Sequence, residues 1–223
     1  MDKGIAALLD GTFIEGRTYE VIVTTVREKG KGTPNSAALG VVLHKDHFDM
    51  KVFKGSDTFN NLSELKRLGV NVIPVEAIDI LAMAALRGWG SPEPEFEPDK
   101  YEKIRNFPFL KAATLVLDCR VDEWEESQGK DDFGAYHIAS FKAVPEAYKV
   151  VTEGSKPIER GTSAVLEALV FATRWKVATG ELKNFLYKRL KIYLGEAINK
   201  GGAANLRTVD LIDQFLKQSQ TAK

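Results

Sequence analysis

The sequence is poor in cysteine, histidine and net charge, and each shortage excludes a class of protein. Its 223 residues contain one cysteine and three histidines, so an intrachain disulfide is impossible and no metal site is predicted. Basic and acidic side chains balance to a formal net charge of zero. No uninterrupted apolar run approaches the roughly 20 residues that a membrane-spanning helix needs. These shortages predict a cytoplasmic protein without a membrane partner.

Two functional classes lack their motifs. The chain has no Ser-His-Asp arrangement, no P-loop and no GxGxxG segment, which excludes acyl transfer and P-loop nucleotide hydrolysis. Residues 156–223 carry 12 basic and 6 acidic side chains, but these are dispersed over helical segments. Because no polybasic run or RNA-binding motif accompanies them, nucleic-acid binding is not predicted.

What is present is a globular composition, with 44% hydrophobic and 28% charged residues. In the first half, β-branched and alternating segments predict an antiparallel meander with a polar loop over 28–35. Its strands are expected at Tyr19–Arg27, Ser36–Leu43 and Phe48–Phe53. Later strands are expected at 70–75, 113–123 and 136–144, with loops over 88–99 and 125–135.

Helical spacing appears first between these strands and then dominates the C-terminal third. Phe59, Leu62 and Leu65 predict a helix that ends at Gly69, and residues 76–87 predict another, with Ile78, Leu81, Ala82 and Ala85 on one face. From residue 159, three helices are expected. Their predicted buried sets are Leu166, Leu169, Val170 and Val177; then Leu182, Phe185, Leu186, Tyr193 and Ala197; and lastly Val209, Ile212 and Phe215 after a cap at Thr208.

The segment Gly55–Leu62 is the candidate binding site, because it joins a strand to a helix. The first N–H groups of a helix lack internal partners and lie at the positive end of its dipole, which favours phosphate. Ser56 and Thr58 can add hydroxyl donors, although the same residues cap helices in proteins that bind no anion.

Three motifs, taken in order, carry a family resemblance. They are Asn35-Ser-Ala-Ala-Leu-Gly40, Thr58-Phe-Asn-Asn61 and Val70-Asn71. Their order is similar to that of the flavin-reductase-like FMN-binding split barrel. More closely, the chain resembles an uncharacterised prokaryotic family of unknown function that joins this barrel to a helical C-terminal region. Further matching segments are Tyr19–Thr25, Gly55–Leu62, Glu159–Gly161, Ala164–Ala168 and Thr173-Arg174.

The resemblance implies an α+β fold, with an antiparallel split β-barrel over 1–155 and a helical unit over 156–223. It implies FMN as cofactor. Ser56, Thr58 and Asn61 would hold the phosphate; Ser36, Ala37 and Ala38 would lie beside the isoalloxazine, and Thr25 would offer its hydroxyl to the ring edge. It also implies a homodimer. One departure is Leu39, where split-barrel relatives often carry proline.

Several functions remain open at this point. The leading hypothesis is an FMN-dependent oxidoreductase or flavin reductase, with no catalytic residue assigned. The alternatives are a flavin-binding protein without turnover, a split barrel that binds a deazaflavin or haem, and an interaction protein that uses its basic helices.

Overall fold

The computed structural model describes residues 2–27, 34–86, 94–131, 134–154 and 156–221. The chain divides into two compact units. Unit 1 comprises Met1–Phe13 and Tyr19–Ile158, and unit 2 comprises Ile14–Thr18 and Glu159–Lys223. The predicted loop over 28–35 and the predicted end of a helix at Gly88 lie largely outside the described residues.

Six antiparallel strands of unit 1 close into a barrel in the order β2-β3-β8-β7-β4-β1, with β1 pairing back to β2. This confirms the predicted α+β class, with an antiparallel barrel followed by helices. The strands, in chain order, are β1 (Thr18–Thr25), β2 (Asn35–His44), β3 (His47–Phe53), β4 (Arg67–Val72), β5 (Tyr101–Ile104), β6 (Phe107–Leu110), β7 (Leu115–Asp131), β8 (Gly134–Val150) and β9 (Ile158–Glu159).

The barrel core is built from the inward-facing residues of these strands. Val21 and Val23 on β1 and Phe48 on β3 are fully buried in it. Helix α1 (Lys3–Thr12) adds Ile5 and Leu9 to the same core. The sequence reasoning did not assign this helix, whose first turn is capped by the carboxylate of Asp2.

A second apolar cluster lies on the other side of β1, which buries Ile22 there. It contains the β5–β6 hairpin and helix α3 (Ile78–Leu86). The predicted face of α3 was wrong in part, since Ile78 and Ala82 are exposed and Ala84 is buried. Ala77, Leu81 and Ala84 are the residues that pack in this cluster, so the helix presents a different face to it from the one expected.

Helix α2 (Asp57–Leu65) confirms the predicted strand–helix junction, but not its end. The helix ends at Lys66, which adopts the left-handed conformation with φ of 50°. Gly69, predicted to stop the helix, lies instead within β4. A Cβ atom there would lie 2.4 Å from Thr24 Oγ1 and 2.6 Å from a ring carbon of Phe109, so close packing requires the glycine.

The predicted surface loop over 125–135 was wrong. Strands β7 and β8 are each 17 residues long and continue their pairing through this segment, from Glu125 opposite Ser140 to Asp131 opposite Gly134. The side chains of 122–128 are exposed, and among them Trp124, at 37% accessible, stacks its ring on the buried Phe141. A polar composition therefore did not distinguish an exposed ribbon from a loop.

The described residues of unit 2 form three helices, α4 (Arg160–Val177), α5 (Gly180–Lys200) and α6 (Ala203–Thr221). For α6 the predicted Val209 and Ile212 are buried, although the helix begins before Thr208. For α5, Leu186 and Ala197 are buried but Leu182 and Phe185 are exposed. None of the helices in the described ranges combines the length and the apolar character needed to cross a membrane.

The predicted buried face of α4 was wrong. Leu166, Leu169, Val170 and Val177 are exposed, and Val177 is 81% accessible. The buried stripe instead consists of small residues and one tryptophan: Gly161, Ala164, Val165, Ala168, Ala172 and Trp175. A small residue is needed at Gly161 because the backbone at Gly201 passes close to it. A Cβ at Gly161 would lie 2.4 Å from the Cα of Gly201.

Candidate cofactor site

A cavity of about 630 Å³ opens in unit 1 beside the first residues of β2. Its volume lies within the range of roughly 300–1,000 Å³ that is usual for small-molecule sites. Its walls come from the start of β2, the end of β3, the first turn of α2 and one face of α3. The lining residues are Asn35–Leu39, Lys51–Thr58, Ala84, Ala85 and Glu95.

The first turn of α2 supplies backbone donors to this wall. Ser56 is the N-cap, and its Oγ accepts from the N–H of Phe59 at 3.1 Å and donates to the carbonyl of Phe53 at 2.8 Å. The Ser56 hydroxyl is therefore already used within the junction. The N–H groups of Asp57 and Thr58 have no acceptor among the described residues, as expected for the first turn of a helix.

A buried polar network supports Thr58 from behind. Asn35 Nδ2 donates to Thr58 Oγ1 at 2.9 Å and to Thr25 Oγ1 at 3.3 Å, and Asn61 Nδ2 donates to the same Thr25 oxygen at 3.0 Å. Because Thr58 Oγ1 accepts from Asn35, its own hydrogen is left to point elsewhere, and the residue lines the cavity. Asn61 Oδ1 is buried without a partner in the described chain, an unsatisfied acceptor inside the network.

Ser36, at the start of β2, binds the segment 95–101 through two hydrogen bonds. Its backbone N–H donates to Glu95 Oε2 at 3.1 Å, and its Oγ shares a hydrogen bond of 2.9 Å with the hydroxyl of Tyr101. Burial raises the pKa of Tyr101 to about 12, the charge of Glu95 adds to the rise, and the Ser36 bond opposes it. Residues 95–101 are thus held against β2 by both polar groups of one serine.

Side chains of both charge signs line the cavity, at different places on its wall. Lys51 and Lys54 lie on its wall, and Lys54 pairs with Glu126 at 2.5 Å. Among the residues that the structure describes, Lys51 has no ion-pair partner. Asp57, in the first turn of α2, pairs with the exposed Arg27 at 2.8 Å. The region around α2 therefore favours an anion, whereas Glu95 adds a negative charge beside Ser36.

Five of the seven residues assigned from the sequence line the cavity together, and two do not. Ser36, Ala37, Ala38, Ser56 and Thr58 line it. Thr25 and Asn61 are buried behind it, bonded to each other and, through Thr25, to Asn35.

Sequence reasoning missed Asn35 and Glu95 as lining residues. Asn35 stood in a quoted motif without a role. Glu95 is one of four acidic residues in the proline-rich segment 88–99, and only the buried Phe96 beside it hints that this part of the segment turns inward. In the described ranges no three His, Cys, Asp or Glu side chains converge to hold a metal ion. His44 and His47 lie at the β2–β3 turn beside Asp46 and Asp49.

The chain is similar to several solved structures. An FMN-bound protein, MM1853, from Methanosarcina mazei is 25% identical, and the alignment covers 93% of this chain and 99% of that one, with a TM-score of 0.47. The flavin reductase of styrene monooxygenase from Pseudomonas putida S12 is 15% identical over 63% of this chain and 83% of its own, with a TM-score of 0.46. Nitrilotriacetate monooxygenase component B from Bacillus cereus is 18% identical over 72% and 87%, with a TM-score of 0.48.

Sequence comparison gives a relative and a family. The uncharacterized protein MJ1453 of Methanocaldococcus jannaschii is 26% identical over 155 residues, which cover 70% of this chain and 73% of the relative. Residues 19–133 match the family model described as "Protein of unknown function (DUF447) N-terminal domain". This match spans more than half of the chain and includes β1 from its second residue, the strands β2 to β4, helix α2 and Glu95. The chain therefore belongs to the DUF447 family, as the resemblance in its motifs predicted.

Proposed function

We propose that this protein binds FMN in the cavity of unit 1, with the phosphate at the first turn of α2. One observation carries the proposal: the N–H groups of Asp57 and Thr58 and the Thr58 hydroxyl stand at a cavity wall without acceptors in the described chain. The resemblance in the motifs supports the flavin as ligand. So does MM1853, which belongs to the same family and is described as FMN-bound.

The chemistry of the α2 wall fits a phosphate ester. The helix dipole and the two N–H groups favour an anion, and the ammonium of Lys51 adds a positive charge. The carboxylate of Asp57 opposes an anion, but its pairing with Arg27 offsets part of that charge. In this arrangement Ser56 shapes the turn as its cap, and Thr58 donates its hydroxyl to the phosphate.

The β2 wall fits a flat ring. Ala37 and Ala38 present small side chains, so a planar group can approach the strand closely. Thr25 and Asn61 act here as positioning residues. The Thr25 hydroxyl accepts from Asn61 and from Asn35, and Asn35 in turn donates to the Thr58 hydroxyl. This modifies two expected roles, which were direct contact with the ring edge for Thr25 and with the phosphate for Asn61.

A bound flavin supplies hydride and one-electron transfer, and the chain supplies binding, orientation and electrostatics. We accordingly propose a flavin-dependent oxidoreductase or flavin reductase. The residues of this chain would hold the phosphate at α2, keep the ring against β2 and leave room for a second reactant in the remaining cavity. No side chain is required to form a covalent bond.

The test is a titration of the full-length protein with FMN and with riboflavin, followed by the change in flavin fluorescence. Riboflavin lacks the phosphate, so we expect it to bind at least about tenfold more weakly. Equal affinities would contradict the phosphate position, and no binding of either would overturn the proposal. Anaerobic mixing of the FMN complex with NADH or NADPH then distinguishes an enzyme from a non-catalytic carrier. A reductase would reduce the bound flavin, and the visible absorption band of the flavin would disappear on the timescale of turnover.

We also propose a homodimer that covers the exposed apolar face of α4 and α5. Large apolar side chains are exposed there, including Leu166 at 60% and Val177 at 81%. Patches of this kind mark protein interfaces. Light scattering on the full chain should give twice the monomer mass, and Leu166→Glu should shift it toward the monomer. The control is Leu211→Glu on α6, where the exposed side chain lies on a different helix.

A further inference from the structure

Glu95 is a buried carboxylate in the cavity wall. It is 8% exposed, and among described residues one oxygen, Oε2, accepts from the backbone N–H of Ser36. Its neighbour Phe96 is buried at 5% exposure and packs edge-on against Tyr101, with ring centroids 6.3 Å apart. These contacts hold Glu95 and the residue that follows it, so the carboxylate lies against β2.

The second oxygen of this carboxylate is available. No donor from the described residues reaches Oε1, while an ionised carboxylate can accept about four hydrogen bonds. A donor from a ligand at Oε1 would make a charge-assisted hydrogen bond, which is stronger than one between two neutral groups. A ligand that lies along β2 and carries a hydrogen-bond donor would satisfy it, whereas a ligand with only acceptors at this place would be repelled.

The sign of the charge fixes the orientation of the ligand. A phosphate beside Glu95 would meet a like charge in a partly desolvated wall, while the first turn of α2 offers donors and a positive dipole end. The anionic end of the ligand therefore lies at α2, and the end with a donor lies at Glu95. In a flavin, the pyrimidine edge of the ring carries one imide N–H, at N3, between two carbonyl groups.

We propose that Glu95 is a specificity residue that accepts the N3–H of the flavin ring and selects ligands with a donor at that edge. This rests on the proposed FMN site and extends it to a residue outside the motifs. Ser36, expected to lie beside the ring, uses its N–H to hold Glu95 in place to receive a donor from the ring. The carboxylate thus serves as an extension of the β2 wall.

The experiment compares FMN with 3-methyl-FMN, which has no donor at N3. A hydrogen bond to a charged acceptor corresponds to roughly 10- to 150-fold in affinity. Wild-type protein should bind FMN at least about tenfold more tightly than the methylated analogue. In Glu95→Ala the two affinities should come within about threefold. If Glu95→Ala weakens both ligands equally and keeps the discrimination, Glu95 only fastens the wall and the proposal is overturned.

Glu95→Gln provides the matched control. Glutamine keeps an acceptor oxygen and the approximate length of the side chain, so it should retain a preference for FMN over 3-methyl-FMN. It also removes a negative charge beside the ring, so the midpoint potential of bound FMN should rise relative to wild type. An unchanged potential in Glu95→Gln would place the carboxylate away from the ring and would contradict the proposal.

The FMN site and the role of Glu95 can each be refuted without the other. If wild-type protein binds neither FMN nor its analogue, the FMN site itself is wrong. If FMN binds and is discriminated from riboflavin but equally well replaced by 3-methyl-FMN, the phosphate site stands and the role of Glu95 is refuted. Circular dichroism of Glu95→Ala checks that the barrel is intact before either conclusion is drawn.

Discussion

The sharpest test of the phosphate site is Thr58→Val, which keeps the shape of the side chain and removes its hydroxyl. Thr58 is buried in the first turn of α2 and lines the cavity. Its Oγ1 accepts from Asn35 Nδ2 at 2.9 Å, and its hydrogen is the donor that we assign to the phosphate. The substitution should therefore affect both the stability of the protein and its affinity for FMN.

The two effects differ in size. Loss of the Asn35 bond leaves that amide with its longer contact to Thr25 at 3.3 Å, which should cost about 1 kcal/mol in the free energy of unfolding. Loss of a donor to a charged phosphate is worth about 1.5–3 kcal/mol, so the Kd for FMN should rise roughly 10- to 150-fold. Riboflavin, without the phosphate, should bind wild type and Thr58→Val with affinities that agree within about threefold.

The assay is a fluorescence titration with FMN and riboflavin, paired with urea denaturation. Ser63→Ala is the matched control, because Ser63 lies on the same helix and its hydroxyl donates to the carbonyl of Phe59, away from the cavity. Thr58→Ser should restore most of the affinity. If Thr58→Val changes the Kd for FMN by less than about twofold while remaining folded, the phosphate does not lie at this hydroxyl.

Three further predictions concern unit 1. Gly69→Ala should lower the free energy of unfolding by about 1–3 kcal/mol in urea, because its Cβ would meet the fully buried Thr24 and Phe109; an unchanged midpoint would contradict this packing. Burial raises the pKa of the Cys119 thiol, so a disulfide reagent at pH 8 should label it only as fast as the protein unfolds; immediate labelling would refute its burial. The pKa of Tyr101 is raised from 10.0 to about 12, so its contribution to the free energy of unfolding is full below pH 10 and should be lost as the pH rises toward 12. Tyr101→Phe should reduce this loss. Identical alkaline denaturation profiles for the two proteins would show that another group is responsible.

Much of the barrel could be predicted from local patterns. The strands β1, β2 and β3 follow from β-branched and alternating residues separated by a tight turn at 44–47. Helix α2 follows from Phe59, Leu62 and its Ser56 cap. In each case the signal lies within one element and its immediate neighbours, so no distant contact was needed to find it.

The parts that could not be predicted depend on distant contacts. Glu95 enters the site because Ser36, 59 residues earlier in the chain, donates to it, and no local pattern distinguishes it from the other acidic residues of its segment. Thr25 and Asn61 show the opposite error, since they were expected to contact the ligand but lie behind the cavity. Their residue types suggested direct ligand contacts, whereas the packed barrel brings them into contact with each other at 3.0 Å. Residue type indicated polar chemistry, but the tertiary fold decided which partner each group has.

The error in α4 has a different cause, and it bears on the proposed dimer. Hydrophobicity alone favours burial of leucine and valine, yet the stripe with glycine and alanine is the one that packs, because small residues let helices approach closely. Phe171 of α4 stacks on Tyr193 of α5 at a centroid distance of 5.5 Å, so the interface inside unit 2 is already filled. Helix α4 thus has two apolar stripes, of which unit 2 uses one. A monomeric chain would gain no stability from exposing Leu166, Leu169, Val170 and Val177 to water. The apolar stripe that led to the wrong prediction therefore supports the proposal that a second copy of the chain covers it.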